Sequence, residues 1–237
     1  MSLCVFLTAT TRNGGAEHDN TASAASIHDL LDLVPGLQKL AIHLPVTAKA
    51  DDPFIPAEDA PACSLQLHFG GIDTLESALT KGGALHSLLD PHSFPSFANC
   101  DWALQAMLTR RFPVDEPSQT CSYGIEKCTY LVSYEGPAEN ENAWHDHYIR
   151  NHPPLMAQLP GVREIEIYTR IDYLSSLPVE RANHMQRNKT VFDSHHALRQ
   201  ALASPIRQRL RDDFLSLPTF SGRSPHYPMQ TLEYSIS

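Results

Sequence analysis

No apolar run in the 237 residues approaches the roughly 18 that a membrane-spanning helix needs, so neither a membrane span nor a membrane partner is expected. Basic residues are few. Lys+Arg number 18 against 27 Asp+Glu, a formal charge of -9. A chain this acidic lacks the diffuse positive field that holds a phosphate backbone, so nucleic acid is not an expected partner. Glycine is scarce, at 11 residues, and Gly14-Gly15, Gly70-Gly71 and Gly82-Gly83 read as turns, not phosphate loops. Gly-x-Ser-x-Gly is absent, which leaves a hydrolase nucleophile elbow without support. The five cysteines, Cys4, Cys63, Cys100, Cys121 and Cys128, are odd in number, scattered and without a C-x-x-C pair. That argues against a disulfide framework or a zinc finger and for thiols acting as small hydrophobes in a reducing cytoplasm. Met1 to Leu7 has no basic region and reads as a first β-strand, not a signal peptide.

What is present is a chain with 42% hydrophobic residues, enough to bury a core as one large domain or two of about 100–120 residues. A faint internal repeat favours two. Leu3–Ala9 and the turn Val34-Pro35-Gly36-Leu37 match Cys128–Tyr134 and Leu159-Pro160-Gly161-Val162 at one offset, 125 residues (128 − 3 and 160 − 35). Leu67-His68-Phe69 with Leu75, Ala78 and Leu79 matches Val191-Phe192 with Leu198, Ala201 and Leu202 at 123. Each half then reads β-α-β-β-α-β.

In the second half strands are expected at about 128–135, 162–172, 185–193 and 228–236, with helices at about 139–159 and 195–217. Ile165, Ile167, Thr169 and Ile171 alternate with Glu164, Glu166, Tyr168 and Arg170. Leu198, Leu202, Ile206, Leu210 and Phe214 recur at helical spacing, and the charges between them, Arg207, Arg209, Arg211, Asp212 and Asp213, read as a solvated face. In the first half strands are expected at about 3–9, 36–44, 64–70 and 102–111 and helices at about 21–34 and 73–89. The Pro45–Pro61 stretch is a long loop that could lie across either half. The fold class expected is α+β, as two ferredoxin-like domains in tandem. Residues 1–113 would form the first, 114–126 a linker and 127–237 the second.

Chemistry concentrates in Trp144-His145-Asp146-His147-Tyr148-Ile149-Arg150-Asn151-His152-Pro153-Pro154-Leu155. None of its three histidines has the i, i+4 spacing by which two imidazoles share one zinc, so no metal is expected. Pro153 predicts a kink or restart of the helix there, with Asn151 or His152 as cap. His152 either satisfies the freed backbone or projects into a pocket between helix and sheet, where an imidazole can exchange a proton near neutral pH. His147 and Tyr148 would orient a ligand beside it. Tyr168 lies on the polar face of its strand, and His184 could reach the pocket rim.

The run Trp144…His147-Tyr148…His152-x-Pro154-Leu155, followed by Leu159-Pro160-Gly161-Val162, resembles the helix signature of EthD-like proteins, members of the dimeric α+β barrel group. Val191-Phe192-Asp193-Ser194 with Leu198, Ala201-Leu202 and Ser204-Pro205 is similar to that family's third strand and second helix. Tyr148 stands where the family often has tryptophan. The resemblance implies that two ferredoxin-like sheets pack face to face, here within one chain, with a pocket between sheet and helices. Its members include cofactor-free dehydratases, decarboxylases and monooxygenases of small aromatic molecules, and proteins with no known activity. The first half departs from it, since Ala22 and Ile27 fall where His147 and His152 stand, with His28 a weak substitute.

The expected function is therefore a cofactor-independent enzyme acting on a small aromatic or polyketide-like molecule. His152 and His147 are the candidate catalytic residues, and Trp144, Tyr148, Tyr168 and His184 the candidate substrate contacts. No cofactor is expected, and a homodimer of the tandem chain is compatible with the fold. Two alternatives stay open, a non-catalytic binding or stress-related barrel and a haem protein.

Overall fold

Residues 186–192 are mostly polar, yet every one of them is buried. A strand of that kind needs cover on both faces, and a sheet closed on itself with helices outside supplies it. A computed structural model of the chain describes residues 2–12, 27, 29, 34–46, 52–55, 60–90, 92, 95–117 and 126–235. Its strands are β1 (Ser2–Thr11), β2 (Leu37–Pro45), β3 (Cys63–Phe69), β4 (Cys100–Phe112), β5 (Glu126–Tyr134), β6 (Val162–Arg170), β7 (Glu180–Arg181), β8 (Gln186–Phe192) and β9 (His226–Ser235). The order β1-β3-β2-β9-β5-β8-β6-β4, with β4 pairing back onto β1, closes an eight-strand antiparallel barrel. The short β7 adds a parallel pairing to β4.

The helices are α1 (Ile72–Ala78), α2 (Ala84–Ser87), α3 (Glu141–Met156), α4 (His195–Leu202) and α5 (Ile206–Leu215). No described helix is long and apolar enough to cross a membrane. The expected helix 73–89 is broken where Gly82, at φ +87, and Gly83 interrupt it. The expected helix 195–217 is likewise two, because Pro205 lacks the N–H a continuous helix needs. Of the expected helix 21–34, only Ile27 and Asp29 in its interior are described as helical; Ala22 and His28 lie outside the described residues, as does Cys121. The kink expected at Pro153 does not break α3. That helix runs through both prolines to Met156, and Asn151 Nδ2 donates to the His147 carbonyl at 2.8 Å instead of capping a second segment.

Alternation along the strands sorts side chains between the two faces. Cys4, Phe6, Met107, Leu131, Tyr168 and Met229 form a cluster on the inner face. The outer face carries two separate apolar clusters, one under the first-half helices around Leu65, Leu67 and Leu75, one under α3–α5 around Val132, Ile165 and Leu198. Within each half the strands are ordered fourth, first, third, second. The β2–β3 and β6–β8 pairs both shift register near their start, between Leu37 and Lys39 and between Val162 and Glu164. The turns before them also agree, since Gly36 and Gly161 hold φ of +76 and +74, a conformation costly for any residue with a Cβ.

The halves are joined by the pairs β2–β9 and β4–β6. A fragment of residues 126–237 would expose both edges and the inner apolar side chains, and should dimerise or aggregate. Sedimentation of that fragment as a stable monomer would contradict this.

Candidate active site

The buried stripe of α3 is Trp144, Tyr148, His152 and Met156, four residues apart and so stacked along one face. Asn140 starts the helix by accepting the Ala143 N–H at 3.0 Å. Trp144 stacks on Tyr148 with ring centroids 5.1 Å apart, and Tyr148 lies 4.6 Å from the His152 ring. Tyr134 of β5 meets the first two edge-on. Trp144 and Tyr148, expected as substrate contacts, are fully buried in this stack and are not among the side chains that line the pocket described next. Tyr148 still reaches toward the pocket through its hydroxyl, which accepts from Asn188 Nδ2 at 2.7 Å.

His152 ends the stack and lines a pocket between α3, α5 and the sheet. The sheet wall is Tyr130, Val132 and Tyr134 of β5, Asn188 and Thr190 of β8 and His226 of β9; the helices add Met156, Leu202, Leu210 and Phe214. The His152 ring is 8% exposed, and its Nδ1 lies 2.7 Å from Asp213 Oδ2 on α5. Hydrogen bonding to a carboxylate assigns the proton to Nδ1 and leaves the lone pair on Nε2. Burial lowers the His152 pKa from the usual value, and Asp213 only partly opposes it, so the ring is neutral at pH 7. The other oxygen of Asp213 faces His147, 3.5 Å from its Nε2, and that half-exposed ring also meets the Ser216 hydroxyl at 3.1 Å. One carboxylate thus joins both histidines expected to be catalytic. His145 turns away to Gln186 Oε1 at 3.2 Å. Among the described residues no three His, Cys, Asp or Glu side chains gather as a metal site.

Two further polar groups face this pocket. Asn188 Oδ1 is buried with no hydrogen-bond partner. His226 gives Nδ1 to the Ser224 carbonyl at 2.6 Å, and burial pushes its pKa down to about 4, so it presents a neutral ring.

The remaining expected contacts lie elsewhere. Tyr168 points into the barrel, where it accepts from Gln66 Nε2 and donates to Glu166 Oε2, both at 2.6 Å. The alternation that buries Ile165 and Ile167 under the helices puts Tyr168 on the other side of the sheet from His152. His184 is held by its backbone to Gln105 on β4, and burial, with the Arg187 charge, pushes its pKa down to about 4. In the first half Ile27, at the position matching His152, is fully buried in the apolar cluster.

Sequence reasoning missed Asp213 and Arg207 by placing them on a solvated face. Arg207 is 8% exposed, pairs with Asp52 and lines the pocket. The usable signal was spacing: Arg207, Leu210 and Phe214 recur every three or four residues, and Asp213 sits beside that stripe. The Pro45–Pro61 loop is also located in part, because Asp52, Phe54 and Ile55 lie against the second-half pocket.

No family model matches the chain, and no curated protein matches it in sequence. Solved structures do resemble it. An anthrone oxidase-like protein superposes with a TM-score of 0.62 at 12% identity, covering 100% of this chain and 93% of its own. A provisionally named monooxygenase from Fusobacterium nucleatum gives 0.61 at 11%, covering 99% and 94%. Chlorite dismutase from Candidatus Nitrospira defluvii gives 0.52 at 11%, covering 96% and 90%. At such identities the likeness speaks to fold alone, an eight-strand antiparallel barrel with helices outside it, here closed within a single polypeptide.

Proposed function

We propose that the chain is a cofactor-independent enzyme that moves a proton on a small aromatic or otherwise hydrophobic molecule, with His152 as base and Asp213 as its positioning partner. The observation that carries this is the 2.7 Å His152–Asp213 pair set behind the wall of an apolar pocket. Asp213 fixes the tautomer and would stabilise the imidazolium formed when Nε2 takes a proton. A C–H acid bound there would lose its proton to Nε2 and become a carbanion or enolate. That species can expel a β-hydroxide or react with dissolved oxygen, while loss of carbon dioxide from a carboxylate reaches the same carbanion without the deprotonation. The Asn188 amide has a spare polar atom for a ligand hydroxyl, which can both give and accept a hydrogen bond.

We further read the halves as tandem ferredoxin-like units, residues 1–113 and 127–237, the second EthD-like. The matching strand orders, register shifts and Gly36/Gly161 turns support that reading. A haem could take His152 Nε2, but Ile55 and Arg207, which is paired with Asp52, line the pocket and favour a smaller guest.

Anthrone, a neutral aromatic C–H acid, is a suitable probe. Its protein-dependent loss under air should fall about 10²–10⁴-fold in His152→Gln, whose amide keeps the Asp213 contact but cannot take the proton. The melting temperature should stay close to wild type. Because burial lowers the His152 pKa, the acid limb of the rate should lie below pH 6.5, with a plateau above it. Equal turnover by wild type and variant would remove His152 from the chemistry. Anthrone binding without turnover in either would favour a binding barrel, and a Soret band in the purified protein would favour haem.

A further inference from the structure

Asp52 comes from the first half of the chain, yet its carboxylate is spent on the second-half pocket. Arg207 Nε meets Asp52 Oδ2 and Nη2 meets Oδ1, both at 2.9 Å, and the Tyr130 hydroxyl donates to Oδ2 at 3.0 Å. This is the fork by which a guanidinium recognises a carboxylate through two parallel bonds, with a phenol as third donor. The Asp52 side chain is 2% exposed and that of Arg207 10%. Phe54 follows on, 5.0 Å under the Arg207 guanidinium. Arg207 and Tyr130 also line the pocket that His152 faces, so the fork opens on the same space as the proposed base.

We propose that Arg207 and Tyr130 form a subsite for a carboxylate on the ligand, occupied in this structure by the chain's own Asp52. The proposal rests on the pocket reading above and adds the charge of what enters. A buried guanidinium requires an anion, since an unpaired charge in an apolar wall is costly. A ligand carboxylate satisfies that requirement as Asp52 does. The exchange keeps the number of ionic hydrogen bonds and releases the Asp52 carboxylate to water. The ligand's apolar body would then meet Val132 and Leu210 of the same pocket, which His152 and Asn188, with its unpartnered amide oxygen, also line. Asp52 therefore acts as an internal competitor, and the affinity for an anionic ligand is reduced by the fraction of molecules in which it holds the fork.

Two matched probes test this on the full chain by calorimetry, 2-naphthoate and neutral 2-naphthalenemethanol. Asp52→Asn should bind naphthoate about tenfold more tightly than wild type, the value expected if Asp52 leaves the fork in about one molecule of ten. Naphthalenemethanol affinity should stay unchanged. Arg207→Gln should bind the two probes alike. Asp52→Glu keeps the competing charge and should resemble wild type. A naphthoate affinity that is unchanged or weaker in Asp52→Asn, or that shifts equally for both probes, overturns the subsite and leaves Asp52–Arg207 a structural tether. Binding of the alcohol with no gain for naphthoate sinks this proposal alone. Failure of both probes in wild type and Asp52→Asn sinks the pocket reading and this one together.

Discussion

Lys189→Met is expected to destabilise the protein by about 3–5 kcal/mol, a large share of the roughly 5–15 kcal/mol that holds a typical domain. Lys189 is fully buried, and its Nζ lies 2.6 Å from Glu164, 3.1 Å from Glu166 and 3.4 Å from Glu233. Burial would lower its pKa, but the three carboxylates win and hold it well above the usual lysine range. Burial would likewise raise Glu166, and the Lys189 ammonium instead holds it well below the usual carboxylate range. Methionine fills similar volume, so the loss isolates charge from packing. It strands Glu166 on Arg111 and the Tyr168 hydroxyl alone. Urea titration reads the change. Adding Glu166→Gln should recover part of it, because the stranded charge is then gone. A loss under about 1 kcal/mol would mean that water enters the barrel and solvates the carboxylates.

Acid should unfold the protein well before its carboxylates titrate. His43 and His68 are buried inside the barrel, and burial pushes both down to about 3; His184 and His226 fall to about 4 for the same leading reason. His43 gives Nδ1 to Thr231 at 2.8 Å, while neither nitrogen of His68 has a protein partner. With folded pKa values below the ordinary 6.5, the unfolded chain takes protons first as pH falls. The stabilisation is complete above about pH 6.5 and is lost progressively toward pH 3–4. From pH 7 to pH 5 the His43 and His68 rings each account for roughly 2 kcal/mol. Glu166 and Glu233, held low by lysines, add to the loss only below about pH 4.5. Urea midpoints should therefore drop steeply between pH 7 and pH 5, and His68→Gln should flatten the slope. A midpoint constant across that range would show that these rings are hydrated or protonated in the folded state.

Strand positions were legible because period-two alternation and the Pro-Gly turns are local signals. Strands expected at 162–172 and 185–193 are found at Val162–Arg170 and Gln186–Phe192. Helix continuity was less legible, since Gly82-Gly83 and Ser204-Pro205 interrupt otherwise good apolar stripes, while Pro153-Pro154 does not interrupt α3 at all. His152 stands out in the sequence because the run Trp144–Leu155, with its double proline, is a contiguous pattern. Asp213, Arg207 and Asp52 could not be found that way. Their roles come from contacts 61 and 155 residues apart in sequence, and a charged residue between apolar ones on a helix usually faces water. Tyr168 shows the opposite difficulty: its strand and its face were right, but the face belongs to a different compartment from His152.

The seam between β2 and β9 joins Lys39 near the start of the chain to Ser235 near its end. During synthesis β2 leaves the ribosome roughly 10–40 s ahead of the strand that must complete it, at about 5–20 residues per second. The β2 edge has no partner until β9 emerges, so ring closure rests on one of the least local pairings in the barrel. The nascent chain should thus depend on holdase chaperones to a degree that neither its size nor its finished stability would suggest. A slow refolding phase that vanishes when β9 is supplied early, by circular permutation joining residues 1 and 237 and opening the chain between residues 113 and 126, would mark that seam as the kinetic bottleneck.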